Sequence, residues 1–224
     1  MESTLTLEQM YEMQKALDAR IIEEKGLEGI DLLPNTILAL QVEIGELANE
    51  WRGFKHWSDR KEPKHGYSAK IDCDRCSGKG FWFEGGRVHC GKCGTTGKVL
   101  NPLLEEYVDC LHFFLSIARQ KDWSQHLGIW EEAIEDTRAK GLDGGIGGAL
   151  LEVMYWLMKF YMEKGKDEKI EQKLGKTKQE FEFANAWYVF IVIGLVGFGW
   201  DFDVITAAYT AKNKVNHDRQ SNGY

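Results

Sequence analysis

The chain has 224 residues, 43% of them apolar and 28% charged, with only 3 Pro and a net charge of −7. This is the composition of a folded globular protein and excludes disordered and collagen-like classes. The length is ample for one core, or one core with a small insert, and the acidic balance excludes a broadly basic nucleic-acid binder.

The charge is unevenly placed. Between Arg60 and Leu100 there are nine basic and four acidic residues, a local +5 that leaves −12 for the remainder. Two unlike modules are expected.

Residues 4–25 carry Leu7, Met10, Met13, Gln14, Leu17 and Ile21 at three- and four-residue spacing, which predicts a helix. Met1 to Met10 lacks the charged-then-apolar order of a secretory signal. Pro34-Asn35-Thr36 opens a second helix over 36–52, and residues 53–66 lead out of it into a turn. Residues 67–100 are rich in Gly and Lys, hold four Cys, and contain the short runs Phe81-Trp82-Phe83 and Arg87-Val88-His89. Asn101-Pro102 restarts a helix over 102–120, with Asn101 as its N-cap.

Further helices are predicted over 122–139, 149–162 and 168–196, with the five-glycine stretch at 140–148 as a loop or hinge. A last helix runs from Asp201 or Asp203 to Gln220. The apolar run Ala186 to Gly199 has 14 residues, short of the roughly 18–20 that cross a bilayer. It reads as a buried helix, so no membrane partner is expected. Strand alternation is confined to the Cys segment. The expected fold is an all-α bundle formed by 1–66 and 101–224, with 67–100 as a small insert containing short β-strands.

Within that insert, Cys73-x2-Cys76-x13-Cys90-x2-Cys93 supplies four thiolates at the spacing of a structural Zn²⁺ site. The small residues after each pair, Ser77-Gly78-Lys79-Gly80 and Gly94-Thr95-Thr96-Gly97, permit tight knuckle turns. This form resembles the zinc repeats of DnaJ-type co-chaperones, a match too short to imply chaperone activity. With no export signal, metal is preferred over disulfides, and a cytoplasmic location is expected. The insert's charge and its Tyr67, Phe81, Trp82 and Phe83 allow weak nucleic-acid or partner contact, which is not the favoured reading. The fifth cysteine, Cys110, reads as a buried structural thiol.

Two helices carry carboxylates beside apolar arcs. At 100° per residue, Glu43, Glu46 and Glu50 share one face, bordering Leu40, Ile44, Leu47 and Trp51. Glu106 and Asp109 share a face with Cys110, Phe113 and Ile117, whereas Glu105 reads as a solvated surface charge. His112 is expected to lie away from the Glu106 face. Carboxylates on a core-facing arc are costly unless neutralised. Two such pairs on neighbouring helices can converge on a hard cation, for which Mg²⁺ suits an all-oxygen donor set.

The Glu-x-x-Glu and Glu-x-x-Asp pairs on an all-α chain resemble the all-α NTP pyrophosphatase superfamily, MazG-like proteins included. Four segments narrow the match: Gln14-x-x-Leu17-Asp18; Glu43 to Glu50 running into Phe54-Lys55-x-Trp57-Ser58; Glu105-Glu106 to His112-Phe113; and Tyr209-x-x-Lys212-Asn213-x-x-Asn216-x-x-Arg219-Gln220-x-x-Gly223-Tyr224. Together they are similar to the dimeric dUTPase family over most of 5–58, 101–120 and 194–224, and weakly over 121–190. The insert departs from the short loop of that family.

The resemblance implies hydrolysis of dUTP, or a related deoxynucleotide, by a homodimer, with Mg²⁺ held by Glu43, Glu46, Glu106 and Asp109. It implies Glu46 as the group that orients or deprotonates water, and Lys212, Asn216 and Arg219 as phosphate ligands. Gln14 and Asp18 would read the base or sugar, and Phe113 or Trp57 would stack on the base. A pyrophosphatase of another base preference, such as dCTP, and a zinc-ribbon binding protein on a helical scaffold remain as alternatives.

Overall fold

A computed structural model describes residues 5–163 and 165–222. The predicted helix start at Thr4 and the Gly223-Tyr224 end of the tail motif lie outside the described residues. Among them are eight α-helices: α1 (Leu7–Lys25), α2 (Leu33–Trp51), α3 (Pro102–Lys121), α4 (Glu131–Lys140), α5 (Gly145–Met162), α6 (Glu168–Leu174), α7 (Lys178–Val192) and α8 (Phe202–Ser221). Between α2 and α3 stand four three-residue strands, β1 (Lys70–Asp72), β2 (Phe81–Phe83), β3 (Arg87–His89) and β4 (Lys98–Leu100). The all-α bundle with a small β-containing, four-Cys insert is as expected.

Local chemistry sets the boundaries. Thr6 and Gln9 form a reciprocal capping box at the start of α1. Pro34 sits in the first turn of α2. Asn101 Oδ1 accepts from Leu103 N–H to cap α3, while its Nδ2 donates to the carbonyls of Gly66 and Ser68. One buried side chain therefore starts α3 and closes the neck of the insert.

The predicted boundaries differ in three places. No helix starts at 122: Asp122 adopts φ 55° and ends α3, a 3₁₀ turn follows at Ser124–His126, and α4 begins only at Glu131. The 140–148 stretch is loop only to Gly144, and α5 starts at Gly145. The single helix expected over 168–196 is broken at Gly175, which caps α6 with φ 63°. A Thr177–Glu180 capping box then starts α7.

After α7 the chain makes a π turn, Ile193–Gly197, against α3. A Cβ on Gly194 would lie 2.5 Å from the Tyr107 hydroxyl, so only glycine allows this approach. Tyr107 stacks on Phe190 at 4.4 Å and donates its hydroxyl to the Phe190 carbonyl. That contact fixes the rotation of α3, and with it the opposite face carrying Glu106 and Asp109. The stretch Lys178–Gly197 is long and apolar enough to cross a membrane by length and composition, but 61% of its apolar window is buried in the bundle.

In the insert, β1 pairs antiparallel with β4 and β2 with β3. Gly80 and Gly97 occupy equivalent places in the two knuckles. Each has positive φ, and a Cβ on either would lie 2.1 Å from a carbonyl oxygen of the other knuckle. Their amides donate to Cys76 Sγ and Cys93 Sγ.

Candidate active site

Helices α2 and α3 lie side by side and present three carboxylates to one another. Oxygens of Glu43, Glu106 and Asp109 lie within 4.8 Å of one another. Glu46, one turn further along α2, is exposed at the rim of the trio. Its charge is felt inside: burial, then the charges of Asp109 and Glu46, raises Glu43 to about 7. Burial, then Asp109, Glu46 and Glu43, raises Glu106 to about 7. Burial also pushes Asp109 up, opposed by Lys212. Three crowded carboxylates that resist ionisation form a site short of positive charge.

Helix α8 supplies part of that charge. The buried Lys212 donates from Nζ to Asp109 Oδ2 at 2.6 Å and to Glu105 Oε1 at 2.9 Å. Glu105, read from sequence as a solvated charge, belongs to this network. Asn216 and Arg219 follow on α8 and line an adjoining cleft of about 320 Å³, together with Glu43, Asp109, Gln14, Asp18 and Phe113. Trp57 is not among the residues lining the cleft. It is 67% exposed and packs edge-on against Phe54 and His56.

The floor of the cleft is a closed hydrogen-bond network between α1, α3 and α8. Gln14 Nε2 donates to Asp18 Oδ1 at 2.7 Å. A carboxylate only accepts, so the amide orientation is fixed and Gln14 Oε1 faces His112 Nδ1 at 2.6 Å. The Tyr209 hydroxyl reaches the same Oε1 and the Met10 carbonyl. Asp18 Oδ2 accepts from Ser116 and from Arg119 Nε at 2.6 Å.

His112 therefore carries its proton on Nδ1. Burial, and then the charge of Lys212, lowers its pKa to about 3, so the ring is neutral. Its Nε2 is a bare acceptor, buried and without a partner among the described residues. His112 lies off the Glu106 face, and Glu106 is not among the residues that line its cleft. His112 lines the cleft beside Asp109, because α1 and α8 close over its side of α3. His112, Ser116 and Arg119 were not singled out as site residues. The signal available was their spacing, with 109, 112, 116 and 119 forming one i, i+3, i+7, i+10 stripe on α3.

The second cluster joins the four insert cysteines, whose sulfurs lie within 4.8 Å of one another. All five cysteines are free thiols, and Sγ separations of 3.8 Å for Cys73–Cys90 and 3.7 Å for Cys76–Cys93 are far from bonded. Although burial opposes it, hydrogen bonds from Cys93, Lys92 and Cys73 bring the Cys90 thiol down to about 7.

A family model described as dUTPase matches residues 6–70 and 95–224. No curated protein matches the chain.

Proposed function

The chain belongs to the dUTPase family, and from that premise we propose that it is a Mg²⁺-dependent dUTP diphosphatase, hydrolysing dUTP to dUMP and pyrophosphate. The observation that carries the reading is the convergence of Glu43, Glu106 and Asp109 on one point beside the cleft. Their hard oxygen donors and unneutralised charge fit Mg²⁺, with Glu46 as a further ligand at the rim. When bound, the metal supplies neutralisation and polarisation of the phosphate chain.

The residues of the chain do the rest. Glu46, exposed to solvent, orients the attacking water and accepts its proton. Lys212, Asn216 and Arg219 hold the phosphates from the opposite side, with Arg219 offering a planar fork. Phe113 stacks on the base. Trp57 joins it only if the 53–66 segment folds towards the cleft.

Gln14 and His112 offer the base a donor and an acceptor at the floor of the cleft. His112 Nε2 accepts but does not donate, and Gln14 keeps one unused amide proton. Uracil meets this pair with N3–H and a carbonyl, and cytosine meets it with its amino group and N3, so the pair reads a pyrimidine edge and the choice of uracil rests on the family match. Asp18 acts by holding Gln14 in place.

The four cysteines hold one structural Zn²⁺. A tetrahedron with Zn–S near 2.3 Å has sulfur–sulfur edges of about 3.8 Å, close to the 3.8 and 3.7 Å separations present. Residues 67–100 then form a metal-stapled insert, and the gap between the two matched segments of the family model falls inside it. The protein works as a cytoplasmic homodimer.

Incubation with each dNTP and Mg²⁺, reading pyrophosphate release, tests the activity. Release from dUTP alone is expected, and Glu46→Gln abolishes it while leaving the fold intact. Release from dCTP instead would move the base preference. Release from none, with fold and zinc intact, would favour a zinc-ribbon binding protein on a helical scaffold.

A further inference from the structure

A second cavity, of about 600 Å³, lies between the insert and the bundle. That is ample for a small anion or the polyphosphate of a nucleotide. One wall is the face of α8 and α3 that carries Lys212 and Glu105, and the other is built by the insert. Lys212 lines the second cavity and stands between the two, its Nζ donating to Asp109 of the first and Glu105 of the second. The insert cleft is therefore separated from the carboxylate site by one lysine side chain.

The insert side is cationic and rigid. Lys92 precedes Cys93, which itself lines the cleft, and Lys98 opens β4, so both are carried by the cysteine cluster. Their ion pairs with Asp74 and Asp72 are exposed, with lysine side chains about half accessible. Such pairs hold little energy and exchange readily for a better anion. Lys64, on the neck, lines the same cleft and forms no ion pair among the described residues. The carboxylates on the walls are already matched by lysines: Asp72 by Lys98, Asp74 by Lys92 and Glu105 by Lys212. Lys64 is left as surplus positive charge. Lys92 and Cys93 lie in the stretch that the family model does not match, whereas Lys64 and Lys98 lie in the matched segments that flank it.

We propose that the insert cleft is a polyphosphate subsite, in which Lys64, Lys92 and Lys98 bind pyrophosphate beside the carboxylate site. The identity of the anion as a leaving group rests on the diphosphatase reading; the cleft does not. A cation on Asp109 takes the oxygen that Lys212 holds, freeing that ammonium to face the cleft. The subsite therefore binds more tightly when the carboxylate site is filled.

Titration calorimetry with inorganic pyrophosphate, in resin-treated buffer without Mg²⁺, tests the subsite directly. One equivalent is expected to bind. The Lys64→Gln/Lys98→Gln double variant should lose at least tenfold in affinity, and Lys140→Gln, at the end of α4 and lining neither cavity, should bind as the parent does. Lys64→Gln alone, outside the strands and knuckles, should show part of the loss and guards against misfolding of the insert. Equal affinity of parent and double variant, or binding that appears only with Mg²⁺, would overturn the proposal. Should the subsite behave as expected while no dNTP is hydrolysed, the diphosphatase reading fails and the cleft stands.

Discussion

Lys212 sets its Nζ 2.6 Å from Asp109 Oδ2, on one of the three carboxylates that converge between α2 and α3. An ammonium and a divalent cation compete for that oxygen. Lys212 thus stands in for the metal without supplying its full charge, since Glu43 and Glu106 stay raised to about 7 in its presence. Lys212→Met should destabilise the metal-free protein by about 2 kcal/mol, below the cost of breaking a fully buried pair because Glu105 is partly exposed. Mg²⁺ should then raise the melting temperature more in the variant than in the parent, because no ammonium has to be displaced. An equal Mg²⁺ shift in the two proteins would show that the lysine and the metal do not share the site.

The raised carboxylates give the metal-free protein a defined pH dependence. Glu43 and Glu106 bind protons more tightly folded, at about 7, than at the ordinary 4.5. The folded state therefore holds more protons between these values, and stability falls as pH rises through that window. Glu43→Gln should flatten the fall, and saturating Mg²⁺ should abolish it by favouring the ionised form. Mg²⁺ affinity should climb up to about pH 7 and level off above it. Chemical denaturation of parent and variant at a series of pH values, with and without Mg²⁺, reads all three effects. Parallel profiles for parent and Glu43→Gln would remove Glu43 from the cluster.

Much of this was legible in the sequence, for particular reasons. Helical periodicity puts Glu43, Glu46, Glu106 and Asp109 beside apolar arcs on 36–52 and 102–120; it does not tell that Glu43, Glu106 and Asp109 draw together while Glu46 stays exposed. The cysteine spacing located the insert, and Asn101-Pro102 located the start of α3. The breaks were harder. Asp122 in a left-handed conformation is an uncommon helix stop, and good helix formers on both sides of Gly175, Glu168 to Leu174 and Lys178 to Phe183, mask the Thr177–Glu180 capping box that restarts the chain. The wheel of α3 puts His112 in one stripe with Asp109, Ser116 and Arg119 but does not say what faces that stripe. The environment of His112 depends on Gln14 and Tyr209 arriving from α1 and α8, which is long-range information.

Loss of the Cys93 thiolate should unfold the insert and spare the bundle. The four cysteines make up the buried centre of this segment, with Trp82 and Val99 packed against it, which is too small a core to hold without its metal. Cys93→Ser should abolish the one equivalent of zinc expected per chain and change the Trp82 environment in near-ultraviolet circular dichroism. Far-ultraviolet helicity should stay close to that of the parent. The insert cleft would lose its wall, so pyrophosphate binding should fall together with the zinc. Full zinc retention in the variant would mean that the cysteine cluster is not a metal site.

Helix α5 turns an apolar stripe to the outside. Leu151, Tyr155, Met158 and Met162 recur at i, i+4, i+7 and i+11 and are all exposed, and Leu38 and Val42 of the adjoining α2 extend the same character. A stripe of that periodicity is what a helix otherwise buries, and a contiguous apolar face is costly to leave in water. A second copy of the chain is the partner that fits, since a two-fold axis would set the stripe against itself. The same α2 carries Glu43 on another face, so the dimer would brace the carboxylate site from behind. Leu151→Glu combined with Tyr155→Glu should convert a dimer into a monomer in sedimentation velocity at micromolar concentration. Turnover should fall less than it does in Glu46→Gln, because no residue of the stripe lines the cleft. A parent protein that sediments as a monomer at that concentration would leave the stripe without this partner.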